Sequence, residues 1–363
     1  MTEEIRMCKD TIQMDKPLVS VVMPVYNVRS YVGQAIESVM GQTLTDWELL
    51  CIDDGSTDGS REVCAAFAAR DSRVRLVSMA HAGLSAARNE GMDLARGKYI
   101  YFLDSDDKLR PEMLATCVDR AEVTEADAVL FEASLLVQDE QLHKADRYRR
   151  SRAYEEVLQG PELYLRQMAN GDFFSMVSLY LFRRQLFLDS GIRFPEGMIH
   201  EDEFATFALL MTSRRTVCLR EPLYTKRFRI GSIMSQRNWA ASVSGYFRGY
   251  ALTYGEGPYS RSEAAQALQV YRWKQAKNCV ESFYRSGEPL CRFPVIAGAL
   301  PEDEQPLADL LTLRTLDPRW FRLCRSFLLW KLKAYELKAR MEDALGFASI
   351  ARPEPEEGEH PHA

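Results

Sequence analysis

The chain reads as an α/β protein built on a mainly parallel sheet flanked by helices. Short apolar, β-branched runs alternate with amphipathic helical patterns from residue 17 onward, and each of the first four runs leads into a polar or acidic turn. At 46% apolar and 27% charged residues the composition is that of an ordinary globular protein, which excludes a fibre or a disordered chain. Strands alternating with helices imply βαβ units and hence a parallel sheet. Such sheets bind ligands at the carboxyl ends of their strands.

Leu18 to Met23 is the first strand, expected to stop at Pro24, whose missing N–H removes a ladder donor. Tyr31 to Met40 places Val32, Ala35, Ile36 and Val39 on one helical face. Trp47 to Ile52 is the second strand, and Ser60 to Ala69 a helix with Val63, Cys64 and Phe67 inward. Val74 to Val77 and Tyr99 to Leu103 are further strands, separated by a helix from Leu84 to Ala95 for which Gly97 is the expected C-terminal stop. Pro111 is placed in the first turn of the next helix. Asp127 to Val137 reads as a strand, Gly160 to Ala169 and Glu203 to Thr212 as helices, and Val217 to Arg229 as extended chain interrupted by Pro222. From Trp239 the pattern is largely helical. Pro353 to Ala363, rich in Pro and Glu, reads as a disordered tail.

The expected organisation is an N-terminal extension (1–16), an α/β domain (17–235), a helical C-terminal region (236–350) and the tail (351–363). The α/β domain divides into a first half (about 17–125) and a second half (about 126–235). A net charge of −6 gives no general attraction to nucleic acid. The eight cysteines form no Cys-x-x-Cys pair, which favours buried free thiols in a reducing compartment over disulfides or zinc. Residues 1–16 lack the apolar core of a signal peptide, and no run reaches the roughly 20 apolar residues that span a bilayer. The expectation is a cytoplasmic protein. Between Arg319 and Arg340, aromatic and aliphatic residues are interleaved with Lys and Arg. This is a candidate for peripheral contact with the inner face of the plasma membrane; a packing helix with a solvated basic face is the other reading.

The unusual residues fall at strand ends. Asp104-Ser105-Asp106-Asp107 packs three carboxylates together, which repel unless a cation or donors compensate them. Mg2+ and Mn2+ take oxygen ligands and bridge carboxylates to substrate phosphates. A helix cap before Pro111 is the plainer reading for Asp107. Asp53 and Asp54 open an octet ending at Ser60. A carboxylate there can accept from a ligand N–H such as a pyrimidine imide, while Thr57 or Asp58 caps the helix that follows. Pro24-Val25-Tyr26-Asn27 is a weak signal alone. Arg88, in a helix that begins with small residues after Gly83, can pair with a carboxylate of the site or with phosphate. His200-Glu201-Asp202-Glu203 is either an acid-rich helix start or the place of a general base. With only five histidines, three of them (His143, His360, His362) in polar or tail segments, a carboxylate base is the simpler option. The loop from Arg229 to Ser235 is a plain loop or a lid carrying Arg near phosphates.

Taken in order, Pro24 to Asn27, Gln42-Thr43, Asp53 to Ser60, Ala87-Arg88-Asn89 with Gly91, Phe102 to Asp107 and Glu201-Asp202 resemble glycosyltransferase family 2. These are inverting nucleotide-diphospho-sugar transferases with the GT-A fold, here of the bacterial capsule, exopolysaccharide or lipopolysaccharide type. The resemblance is strong over about residues 18 to 125 and weaker to about 235. It implies a UDP-sugar donor and a carbohydrate or lipid-linked saccharide acceptor. Pro24, Val25 and Tyr26 would line the nucleoside pocket, and Asp53, with Asp54 beside it, would accept from uracil. Asp104, adjoining Ser105, would contact the ribose, Asp106 would hold Mg2+ or Mn2+, and Asp202 would be the catalytic base. The loop bearing Arg229 would close near the donor. His81 stands where relatives carry a short polar residue. A nucleotidyltransferase of related fold, or a non-catalytic nucleotide- or carbohydrate-binding module, are the alternatives. The first would need a Gly-rich basic loop after the first strand, which Pro24 to Asn27 is not.

Overall fold

Seven consecutive buried residues, Val19–Val25, form β1 at the heart of an eight-stranded sheet. The computed structural model describes residues 16–137, 148–228 and 238–286, except 255, 256, 258, 260 and 261. Strand β2 (Trp47–Asp53) and strand β4 (Tyr99–Phe102) flank β1 in parallel, and β3 (Val74–Ser78) pairs in parallel with β2. Helix α1 (Arg29–Met40) buries the four residues its period predicts, and α2 (Ser60–Ala68) and α3 (Leu84–Leu94) follow their strands as expected.

Beyond β4 the sheet changes direction. Strand β7 (Tyr180–Arg183) runs antiparallel to β4 and to β6 (Ala128–Val137), β8 (Thr216–Phe228) runs parallel to β6, and the two-residue β5 (Lys108–Leu109) closes the edge antiparallel to β8. The β6–β8 register shifts where Pro222 faces Glu132, so the interruption expected at that proline is a bulge inside one long strand. Helix α4 is Met113–Thr124, α5 Gly160–Asn170, α6 Arg184–Ser190 and α7 Glu201–Thr212. Of the expected helical C-terminal region, α8 (Trp239–Ala251) and α9 (Ala265–Ser286) lie among the described residues. Both dock on the α7 side: Tyr271 stacks on Phe207 at 4.0 Å, and Gly245 lets α8 approach the Ile199 carbonyl, where a Cβ would lie 2.3 Å from the oxygen. Residues 287–363, including 319–340 and the expected tail, lie outside the described set.

Three local expectations are corrected. Pro24 does not end β1, which continues to Val25. Val22 O accepts from Leu103 N on the β4 side and Val25 O from Asp54 N on the β2 side. Alternation therefore turns the Pro24 nitrogen toward β4, past that strand's last residue, and no ladder bond is lost. Gly97 is not a left-handed helix stop. Ala95 closes α3 in an extended conformation, and a Cβ on Gly97 would sit 2.6 Å from Ser20 N, so the glycine serves close backbone approach. Asp107 caps no helix. Its carboxylate is buried in the sheet edge, and α4 starts only at Met113, after Pro111.

Five cysteines, Cys51, Cys64, Cys117, Cys218 and Cys279, are buried free thiols, as composition predicts. No helix of the described residues is long and apolar enough to cross a membrane.

Candidate active site

The β1–β2 register pairs Val25 with Asp53, so the chain leaves both strands side by side at their carboxyl ends. The two exit loops are then tied together. Ser56 Oγ accepts from Asn27 N, Asn27 Oδ1 from Thr57 N at 2.9 Å, Asp58 Oδ2 from Arg29 N and Ser60 Oγ from Val28 N. Asn27 adopts φ +51 to make this crossing. Most of the octet's polar side chains are thus structural. Asp58 also accepts from Ser60 N at the start of α2, whose N-cap is Gly59 and not Thr57 or Asp58.

Of the three residues expected at the nucleoside, Tyr26 is exposed, at 46%, and Pro24 and Val25 are buried at the carboxyl end of β1. Tyr26 stacks on His81, centroids 4.2 Å apart. Asp53 is buried at the strand end, with Oδ1 accepting from Ser56 N. Asp54 turns away from that corner. Its two oxygens accept from Ala82 N at 2.7 Å and Gly83 N at 2.9 Å, and Oδ2 lies 2.9 Å from His81 Nδ1. It fixes the turn that launches α3, where Gly83 takes φ +97.

Helix α3 carries Arg88 inward. Arg88 Nη1 donates to Glu201 Oε1 at 2.7 Å and Nη2 to Asp104 Oδ1 at 3.2 Å, with the guanidinium over the Phe194 ring. Of the two partners open to it, phosphate or a carboxylate of the site, Arg88 holds carboxylates on two elements. Lys226, unforeseen from sequence, extends from β8 to Asp107 at 2.8 Å and Asp104 at 3.1 Å. Tyr224 Oη donates to Asp107 at 2.6 Å, Arg227 N donates to its other oxygen, and Arg227 Nε donates to Asp106 O at 2.8 Å. Tyr224 and Lys226 stand two apart on one strand and so share a face. That spacing in the expected extended segment was the available signal.

Charge in this corner is compensated unevenly. Burial alone would raise Asp104, but Lys226 and Arg88 outweigh it and hold its carboxyl below the usual range. Asp107 is pushed up to about 6 by burial, with Asp104 and Asp106 repelling its charge. Ser105 is buried and Asp106 half-buried.

Helix α7 begins after His200, which takes φ +62, stacks on Tyr246 at 4.2 Å and shares a hydrogen bond with Ser242 at 3.1 Å. Glu201 is bound to Arg88 and Glu203 to Lys274 at 2.6 Å. Asp202 between them makes no hydrogen bond or ion pair with another described residue. Burial, then repulsion from Glu201 and Glu203, raises its carboxyl from 3.8 to about 8. A carboxylate so raised is a stronger proton acceptor once it is ionised. Arg229 lies outside the described residues.

A profile for Glycosyl transferase family 2 matches residues 20–188. Glycosyltransferase GlyG of Streptococcus pneumoniae is 31% identical over 235 residues, 62% of this chain and 77% of GlyG. The chain belongs to glycosyl transferase family 2. The glycosyltransferase EpsJ of Bacillus subtilis is 34% identical over 214 residues, so this enzyme's matching part, 58% of its chain, spans 61% of EpsJ. Residues 1–349 of Staphylococcus aureus TarS, solved with UDP-GlcNAc, match the glycosyltransferase at TM-score 0.57 and 20% identity over 89% of each chain. That likeness establishes the GT-A fold.

A resident metal caged by protein is not what the described residues of this glycosyltransferase offer: no group of three His, Cys, Asp or Glu side chains among them could hold an ion. Asp107 is engaged by β8 and Asp104 by two cations, and Asp106 between them in sequence is half-buried. Mg2+ and Mn2+ bound through one or two carboxylates plus substrate phosphates suit that arrangement.

Proposed function

We propose that this glycosyltransferase moves a sugar from a UDP-sugar to a hydroxyl of a carbohydrate or lipid-linked saccharide acceptor, with inversion, in cell-surface polysaccharide synthesis. The observation that carries the reading is the Arg88 bridge. One guanidinium joins Asp104, in the acidic turn at the end of β4, to Glu201, the neighbour of Asp202 on α7. Donor-phosphate chemistry and a proton acceptor are thereby held against each other.

Asp53 accepts from the uracil imide, Tyr26 meets the exposed face of the nucleoside, and Asp104 contacts the ribose. Asp106 holds Mg2+ or Mn2+, which when bound supplies charge neutralisation for the diphosphate. Asp202 takes the acceptor hydroxyl's proton. The freed oxygen attacks the anomeric carbon from the face opposite the diphosphate, and the bond to the diphosphate breaks with its electron pair leaving on UDP. Products are the new glycoside, UDP and protonated Asp202. Arg229 supplies a cation to the donor phosphates. Residues 319–340 bring the enzyme to anionic lipid at the inner face of the plasma membrane.

The relatives named above are glycosyltransferases, and TarS was solved with UDP-GlcNAc, which favours a UDP-sugar. Putting UDP-GlcNAc, UDP-glucose and UDP-galactose to the protein with Mn2+ or EDTA, and measuring released UDP, tests the reading. Metal-dependent release from at least one is expected, and none from any of them counts against it.

A further inference from the structure

The first turn of α7 sets three acids in a row, and two of them are neutralised by cations from two different helices. Glu201 is paired with Arg88 of α3, from the first half of the α/β domain. Glu203 is paired with Lys274 of α9, from the helical C-terminal region, at 2.6 Å between side chains only 14% and 20% exposed. Gln275 Nε2 also lies 3.4 Å from the same Glu203 oxygen. Lys274 is held in place. Its ammonium sits over the Phe173 ring at 4.8 Å, and Tyr271, one helical turn earlier, stacks on Phe207 of α7.

We infer that Lys274 is a positioning residue of the active site: by pairing with Glu203 it leaves Asp202 the one uncompensated carboxylate of the α7 first turn, so the C-terminal helices complete the charge setting of the catalytic base. This rests on the assignment of Asp202 as base. Asp202 is faced by Glu201 and Glu203 on its own helix, with His200 at the cap, and by Arg88 of α3 and Asp104 of the β4 turn. Tyr246 of α8 and Tyr271 of α9 are close enough for Asp202 to disfavour their ionisation. Arg88 is the one cation acting directly on Asp202 in this set, and Lys274 acts through Glu203. Burial would raise the Glu203 carboxyl, but Lys274 outweighs it and keeps Glu203 ionised below its ordinary range. Loss of Lys274 adds an unscreened negative charge one residue from Asp202, or forces a proton to be shared between the two; either moves proton release from the pair to higher pH. Loss of the Glu203 charge alone does the reverse, because Lys274 then faces Asp202.

The test reads Asp202 ionisation without any ligand. Asp202→Asn is compared with its parent by melting temperature across pH, and the pH at which the difference levels off marks the folded carboxyl. The comparison is made in four backgrounds: unaltered, Lys274→Met, Glu203→Gln and the double variant. Relative to the unaltered protein, the levelling point is expected to rise by roughly one pH unit in Lys274→Met and to fall by a similar amount in Glu203→Gln. It should return in the double variant, and Lys274→Arg should behave as the parent. A purely structural Lys274 would lower every melting temperature and leave the levelling point still. An unchanged point in Glu203→Gln, a variant that does not depend on Lys274→Met folding, overturns the inference. Movement as stated, alongside UDP release from UDP-GlcNAc that is indifferent to Asp202→Asn, upholds the role of Lys274 and removes the base assignment instead.

Discussion

The Arg88 guanidinium and the Glu201 carboxylate meet at 2.7 Å, 113 residues apart in sequence and both nearly buried. The same guanidinium reaches Asp104. Replacing Arg88 by Met leaves the nearly buried Glu201 carboxylate without its cation and Asp104 with Lys226 alone. Breaking a buried pair from one side costs about 3–5 kcal/mol, far more than an exposed pair. Arg88→Met should lower unfolding free energy in urea by that order. Arg88→Lys, which cannot fork to two partners, should recover only part of the loss.

Asp106 is the second test. In the proposed mechanism Asp106 holds the phosphate-bridging ion, while its neighbours Asp104 and Asp107 are engaged by Lys226, Arg88 and the β8 backbone. Asp106→Ala should bring metal-dependent UDP release to background while near-ultraviolet circular dichroism stays as in the parent. Full turnover in EDTA would remove the metal from the reaction.

These contacts also mark how far sequence reasoning reaches. The first four strands are legible because each is a short, largely apolar run leading into a polar turn, although β3 is only partly buried, and the α1 period names its four buried residues. The acidic turn and Asp202 are legible as local clusters. Their partners are not. Lys226 lies 119 residues from Asp107 and Lys274 71 from Glu203, and no local period encodes such pairings. Strand β7 escapes for a different reason. Its four residues sit between a 3-10 turn and α6, too short to show alternation. Asp54 is legible as half of an acidic pair, but its anchoring of a loop is not, because the turn at His81 to Gly83 that brings backbone N–H groups to it lies 28 residues on.

Base preference follows from Asp53. One of its oxygens is engaged by Ser56 N, and a uracil imide would donate to the carboxylate where adenine would present an acceptor. With Mn2+ present, UDP should bind about tenfold or more tightly than ADP, the scale of a hydrogen bond to a charged group. Asp53→Asn should narrow that ratio in calorimetry. Equal affinity for UDP, ADP and GDP would leave no ground for a uridine donor.

The segment 319–340 should draw the protein to anionic vesicles, more weakly as salt rises and screening shortens the reach of Lys and Arg. Sedimentation with phosphatidylglycerol liposomes, comparing the full chain with one ending at residue 316, measures it. Equal sedimentation of the two returns the segment to a packing role.

Asp202 bears on both stability and turnover. Its folded carboxyl stands at about 8 against an ordinary 3.8, chiefly through burial. Between those values the folded chain holds a proton that the unfolded chain has released, so stability falls as pH rises across that window. Asp202→Asn carries no such charge. The variant should melt with the parent near pH 4, above it at pH 7, and by its greatest margin from about pH 8 upward. In catalysis the sign is opposite, because only the ionised carboxylate accepts a proton. The acid limb of kcat/KM, which reports the free enzyme, should therefore lie near pH 8. Asp202→Asn should bind UDP normally and transfer sugar roughly 10²–10⁴-fold more slowly. Glu201→Gln keeps the shape of the Arg88 contact and should cost less. A stable Asp202→Asn with parental transfer, beside a dead Glu201→Gln, would move the base one residue back; two active variants would place it on another element.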